Sequence, residues 1–303
     1  MTAPIAKRVP TERTFHGDTV IDEYAWLAAK DDPDTIAYLK AENAFTEEVT
    51  APLAGLRETV FTEIRNRTQE TDLSVPVRKG GWWYYSRMVE GQQYGIHCRV
   101  AADPAVTDPP STVDGTAPPG EQILLDGNEL ARGHEFFALG TFDISPDGRW
   151  LAYSTDFAGD ERFTLRIKDL DTGTVLPDEI PHTHYGSAWS LDASTLFYLT
   201  VDDAWRPYRV HRHVVGTPPG ADAVVYQEDD ERFWVGVELT RSERFIFIEA
   251  GSKTTSEVHY LPADAPLAAP TVIAPRRPGV EYAVEHHGHR FLILHNDEAQ
   301  DFA

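Results

Sequence analysis

Four stretches of this chain repeat one pattern: a short apolar strand, a tight polar turn, and a second apolar strand. They are Phe142–Tyr153, Ala188–Tyr198, Val237–Ile248 and His286–Leu294, and their matching positions Leu151, Leu196, Ile246 and Leu292 lie 45, 50 and 46 residues apart. A period of about 40–50 residues is the length of one four-stranded propeller blade. Alternating apolar residues over such short runs indicate strands with one or both faces covered. Ser145-Pro146-Asp147-Gly148 and Leu191-Asp192-Ala193-Ser194 supply residues that favour turns. An earlier unit fits around the aromatic run Trp82-Trp83-Tyr84-Tyr85, spaced further away by a Pro-, Asp- and Thr-rich loop over residues 101–120. The expectation is a mainly β chain carrying about four to five blades. It ends at Asp301-Phe302-Ala303 in the middle of a unit, and an open blade edge is a liability, so the propeller is expected to be incomplete at its C-terminal end.

Residues 1–72 read differently, as a helical segment, with the propeller over 73–303. Asp31-Asp32-Pro33-Asp34 combines a capping aspartate with proline at the first helical position. Ala41, Phe45 and Val49 follow at helical spacing, Ala51-Pro52 interrupts, and Leu53, Leu56, Val60 and Ile64 form a second stripe. Both stripes lack an apolar partner within the segment.

The net charge of −22 argues against nucleic acid as a partner, since phosphate binding needs a positive surface. It suits attraction of basic ligands, and equally serves solubility. No run approaches the roughly 20 apolar residues of a membrane span, so no membrane partner is expected. Cys98 is the sole cysteine, which excludes an intrachain disulfide and fits a cytoplasmic setting.

The sequence holds no Gly-x-Ser-x-Gly nucleophile turn and no phosphate-binding glycine loop. His182/His184, His211/His213 and His287/His289 are spaced to share strand faces, yet they fall in different units without a third ligand. They are read as surface or hydrogen-bonded histidines, with no metal and no cofactor expected. The acidic runs Asp202-Asp203 and Glu228-Asp229-Asp230-Glu231 are read as solvated loop charge, with a funnel for basic peptides as the sharper alternative. Trp82 and Trp83 are read as blade packing rather than a ligand platform.

Several stretches, in order along the chain, resemble the prolyl oligopeptidase family and, within it, the oligopeptidase B group of serine peptidases. They include Phe15-His16-Gly17-Asp18 with Asp22–Leu27, Tyr94–Arg99, Leu124–Asn128, Glu135-Phe136-Phe137, Ser145-Pro146-Asp147, Tyr208–His213, Thr254–Val258 and Pro275-Arg276-Arg277. The resemblance implies a seven-bladed β-propeller joined to a C-terminal α/β-hydrolase domain on which the N-terminal helices pack. It implies cleavage of short basic peptides after Arg or Lys, with the propeller limiting access. The triad of such enzymes would lie beyond this chain, so no catalytic or substrate-binding residue is assigned and the chain alone is expected to be inactive. Glu135 is the one site candidate, as a salt-bridge partner across the cleft between propeller and hydrolase. The alternatives are a stand-alone propeller that binds ligands and a post-proline peptidase of the same family.

Overall fold

The computed structural model describes residues 2–110 and 117–303. It divides into two compact units, residues 1–69 and 70–303.

The first unit is not helical throughout, as the sequence suggested. It opens with a hairpin, β1 (Thr11–Phe15) and β2 (Asp18–Asp22), paired antiparallel. The two-residue turn His16-Gly17 has φ of 51° and 84°, the left-handed pair that suits a tight hairpin. The hydroxyls of Thr14 and Thr19 meet at 2.8 Å across the pair. Helix α1 (Pro33–Thr50) starts as expected, with the Asp32 carboxylate accepting from the Asp34 amide at 2.8 Å. Helix α2 (Ala54–Arg67) follows Ala51-Pro52. Leu53, Leu56, Val60 and Ile64 stay 45–63% exposed along it.

The second unit is built of antiparallel strands in chain order. The first blade holds β3 (Val77–Lys79), β4 (Trp82–Arg87), β5 (Ile96–Ala101) and β6 (Gln122–Asp126), and is followed by the short helix α3 (Gly127–Ala131). Residues 102–110 and 117–121 carry no helix or strand, and the centre of the expected loop lies outside the described residues. A seven-stranded sheet comes next: β7 (Ala138–Ile144), β8 (Trp150–Asp156), β9 (Phe163–Asp169), β10 (Val175–Trp189), β11 (Thr195–Val201), β12 (Pro207–Val214) and β13 (Ala223–Gln227). This sheet is two blades sharing one strand. β10 pairs with β9 up to Thr183 and with β11 from Thr183 onward. It changes direction where His182 (φ 60°) and Gly186 (φ 95°) adopt left-handed backbone. The left-handed backbone at Gly186 favours glycine, and a Cβ there would press on the Leu199 side chain at 3.1 Å. The fourth blade is β14 (Trp234–Leu239), β15 (Phe245–Gly251), β16 (Ser256–Pro262) and β17 (Thr271–Ala274). β18 (Tyr282–His287) and β19 (Arg290–His295) form a two-stranded fifth unit.

The core lies between successive blades. Leu124 and Leu125 of the first blade meet Leu151 and Tyr153 of the second. Leu165 and Ile167 meet Trp189 and Leu196 of the third. Phe197 and Val210 meet Val237, Ile246 and Leu261 of the fourth. Phe247 and Val258 meet Tyr282 and Val284 of the fifth. Each fully buried side chain of this size contributes about 1.5–3 kcal/mol. The stacking explains why the strands read as apolar on both faces.

The repeated turns are alike in chemistry as well as position. Ser145, Ser190 and Thr240 end β7, β10 and β14, and their hydroxyls accept the amides of Trp150, Thr195 and Phe245 at 2.9–3.1 Å. The same hydroxyls contact Asp147, Asp192 and Ser242. Gly148, Ala193 and Glu243 take the left-handed position in these turns. Among the described residues, no helix is long and apolar enough to cross a membrane.

Candidate functional site

The first strands of successive blades come together on one inner wall. β10 packs against both β7 and β14, and residues of β3, β7, β10 and β14 line a common cavity of about 800 Å³. Charge of both signs gathers there. Lys79 on β3 donates to the Ile144 carbonyl at 3.1 Å and pairs with Glu243 at 3.4 Å, linking the first blade to the fourth. Asp143 on β7 accepts from the Ser187 hydroxyl at 2.9 Å, and its backbone carbonyl accepts from Trp189 Nε1 at 3.2 Å. Burial raises the Asp143 carboxyl to about 6, opposed by the Ser187 hydrogen bond and by Lys79. Arg78 and Arg241 line the same cavity and form no ion pair among the described residues.

A second cavity, of about 580 Å³, borders the first and shares Tyr185, Gly186 and Glu238 with it. It adds Glu249, which stands opposite Gly236 in the β14–β15 register. Burial pushes Glu249 up to about 7, and the neighbouring charges of Glu238 and Glu285 push the same way. Glu238 is raised by burial and by Glu285. The wall thus has a mixed, arginine-bearing end and a carboxylate end.

The sequence candidates fall elsewhere. Glu135 sits between α3 and β7, exposed, and forms no ion pair among the described residues. Of its neighbours, Phe136 is exposed and Phe137 is buried edge-on against Tyr94, with ring centroids 4.9 Å apart. The paired histidines have separate tasks. His213 is fully buried, its Nδ1 2.9 Å from Asp222 and its Nε2 3.0 Å from Asp178. His211 bonds the Thr200 hydroxyl at 3.0 Å and stacks on Tyr198. His287 and His289 are exposed, and His182 lies on bent backbone. No group of metal-ligating residues occurs among the described residues.

The acidic runs are not plain solvated charge. Glu228 is 5% exposed and binds Arg276 at 2.5 Å, while Asp202 holds the Arg206 guanidinium at 2.9 Å. The reason is that both runs precede turns whose amides and arginines need buried acceptors; Asp202 also receives the amides of Ala204 and Arg206. Trp82 packs in its blade with the Arg99 guanidinium 3.9 Å above its ring. Sequence reasoning missed Asp143, Glu238 and Glu249. For Asp143 and Glu238 the signal was a charged residue within the first strand of a blade; Glu249, on the second strand β15, carried none.

A partial propeller with an ionisable inner wall defines the class, and comparison with known proteins places it. The family profile described as the prolyl oligopeptidase N-terminal β-propeller domain matches residues 4–303. The chain belongs to that family. It is 40% identical to dipeptidyl aminopeptidase BI of Pseudoxanthomonas mexicana, over 98% of this chain and 42% of that protein. It is 36% identical to protease 2 of Moraxella lacunata, over 100% of this chain and 43% of that protein. Oligopeptidase B from Leishmania major superposes with a TM-score of 0.88 at 27% identity, covering 98% of this chain and 43% of the other. Oligopeptidase B from Trypanosoma brucei, in a closed form with covalently bound antipain, gives 0.86 at 30% identity, covering 98% and 43%. The chain therefore spans about two-fifths of the length of these relatives.

Proposed function

We propose that this chain is the propeller-bearing part of a serine oligopeptidase of the oligopeptidase B type, which cleaves short peptides after Arg or Lys. Membership of the family and the names of its relatives support peptidase chemistry. The observation that carries the basic preference is the carboxylate end of the inner wall, where Glu238 and Glu249 share one cavity. Carboxylates desolvated together are costly, and a guanidinium or ammonium between them offsets that cost through charge-assisted hydrogen bonds. The inner wall admits extended short chains and excludes folded ones, which is how the propeller would limit access.

On this reading the serine, histidine and aspartate lie in a C-terminal hydrolase domain. The serine hydroxyl attacks the scissile carbonyl, the histidine moves its proton to the leaving amine, and backbone N–H groups hold the oxyanion. The apolar faces of α1 and α2 are covered by that domain, and residues 1–72 are its N-terminal part. Exposed Glu135 forms a salt bridge across the cleft. A reducing, cytoplasmic site suits Cys98, which is 1% exposed and whose thiol burial pushes up to about 12.

The test is cleavage of matched fluorogenic peptides with Arg, Lys or Pro before the scissile bond. The intact protein is expected to cut after Arg and Lys, and the 303-residue chain to cut none. Preferential cleavage after Pro overturns the basic specificity, and cleavage by the purified 303-residue chain overturns the placing of the triad.

A further inference from the structure

The two ends of the inner wall differ in their balance of charge. At one end Arg78 and Arg241 line the cavity without an ion pair among the described residues. Thr141 lines the same cavity, 5% exposed, and its hydroxyl is buried without a hydrogen-bond partner among the described residues. A buried hydroxyl left unpaired costs about 1–3 kcal/mol. At the other end Glu238 and Glu249 face one space. Gly236 opposite Glu249 has nothing within 4 Å of where a Cβ would stand, which leaves that space open. From the level of Gly236 to Leu239 at the end of β14 is three residues, about 10 Å at strand rise. Arg241 follows just beyond. An extended peptide covers that distance with about three residues.

We propose that the inner wall binds short peptides in one orientation, with the C-terminal carboxylate on Arg78 and Arg241 and an Arg or Lys side chain about three residues earlier between Glu238 and Glu249. This rests on the peptide reading above and adds polarity, ligand length and the residues that set both. Lys79 and Glu243 neutralise each other at the arginine end; the Asp143 carboxylate, held by the Ser187 hydroxyl, offsets part of the charge of the two guanidinium groups and leaves that end net positive. The raised carboxyls of Glu238 and Glu249 are what two acids awaiting a cation would show.

The experiment is calorimetric titration of the 303-residue chain with acetyl-Arg-Ala-Ala-Ala at pH 8, with a free and with an amidated C-terminus. Amidation is expected to weaken binding about tenfold in the wild type and to change nothing in R78Q/R241Q. Replacing the peptide's Arg by Gln is expected to weaken wild-type binding likewise, and to have no effect in E238Q/E249Q. Retained thermal melting of each variant confirms folding. If the peptide binds but amidation and the Arg78/Arg241 substitutions act additively, the orientation is overturned while the peptide reading stands. If neither peptide binds, the inner-wall site falls, while the peptidase reading is decided by the cleavage assay on the intact protein.

Discussion

Glu249 shows how one side chain on a strand can couple the fold to pH. Its carboxyl is pushed up to about 7 by burial and then by Glu238 and Glu285. The folded chain therefore keeps a proton that the unfolded chain releases near the ordinary carboxylate range. Stability from this group is fullest below that range and falls as pH rises to about 7. Asp143, raised to about 6, adds in the same direction. The expected loss between pH 5 and pH 8 is about 1–2 kcal/mol for Glu249, allowing for solvent screening at a half-buried position. Denaturant melts of E249Q should show a flatter pH profile than wild type and higher stability at pH 8. An unchanged profile would remove Glu249 from the account. This residue was not legible in the sequence, because a strand glutamate looks alike on a wet face and beside a cavity. Only its place on β15 opposite Gly236, beside the cavity, distinguishes the two.

At the scale of elements, the blades are tied by buried polar groups as well as by apolar layers. His213 on β12 sits between Asp178 on β10 and Asp222 before β13, and the Tyr198 hydroxyl completes Asp222 at 2.9 Å. Removing the imidazole leaves two buried carboxylates with one donor each, the Gly216 amide for Asp178 and the Tyr198 hydroxyl for Asp222. H213A is expected to cost about 3–5 kcal/mol in urea unfolding; a loss under 1 kcal/mol would show that the two aspartates find other partners. Ser190 is fully buried, and its hydroxyl holds the β10–β11 turn; S190A is expected to cost about 1–2 kcal/mol by the same measurement. The repeat itself was readable, since period, turn chemistry and apolar strands all pointed to the same hairpins. The shared strand β10 was not, because its bend at His182 and Gly186 has no periodic signature. The β1–β2 hairpin was missed too. Its residues are exposed on both faces, so no apolar alternation announced it.

For the whole molecule, the sequence similarity and the blade stacking agree, while the peptidase itself remains the proposal. Exposed Leu53, Leu56, Val60 and Ile64 form an apolar face on α2. The 303-residue chain is expected to self-associate through it, and L56E/I64E to shift sedimentation toward monomer at equal concentration. A wild-type monomer at high concentration would contradict that role. The most direct test of the central claim is photo-crosslinking of the 303-residue chain with an arginine tetrapeptide that carries a benzophenone, followed by mass mapping. The expected crosslinks fall on β7, β10 and β14 around Tyr185 and Glu238, and excess unlabelled peptide abolishes them. Crosslinks confined to outer strands such as β13 or β17 would contradict the inner wall as the path of a basic peptide.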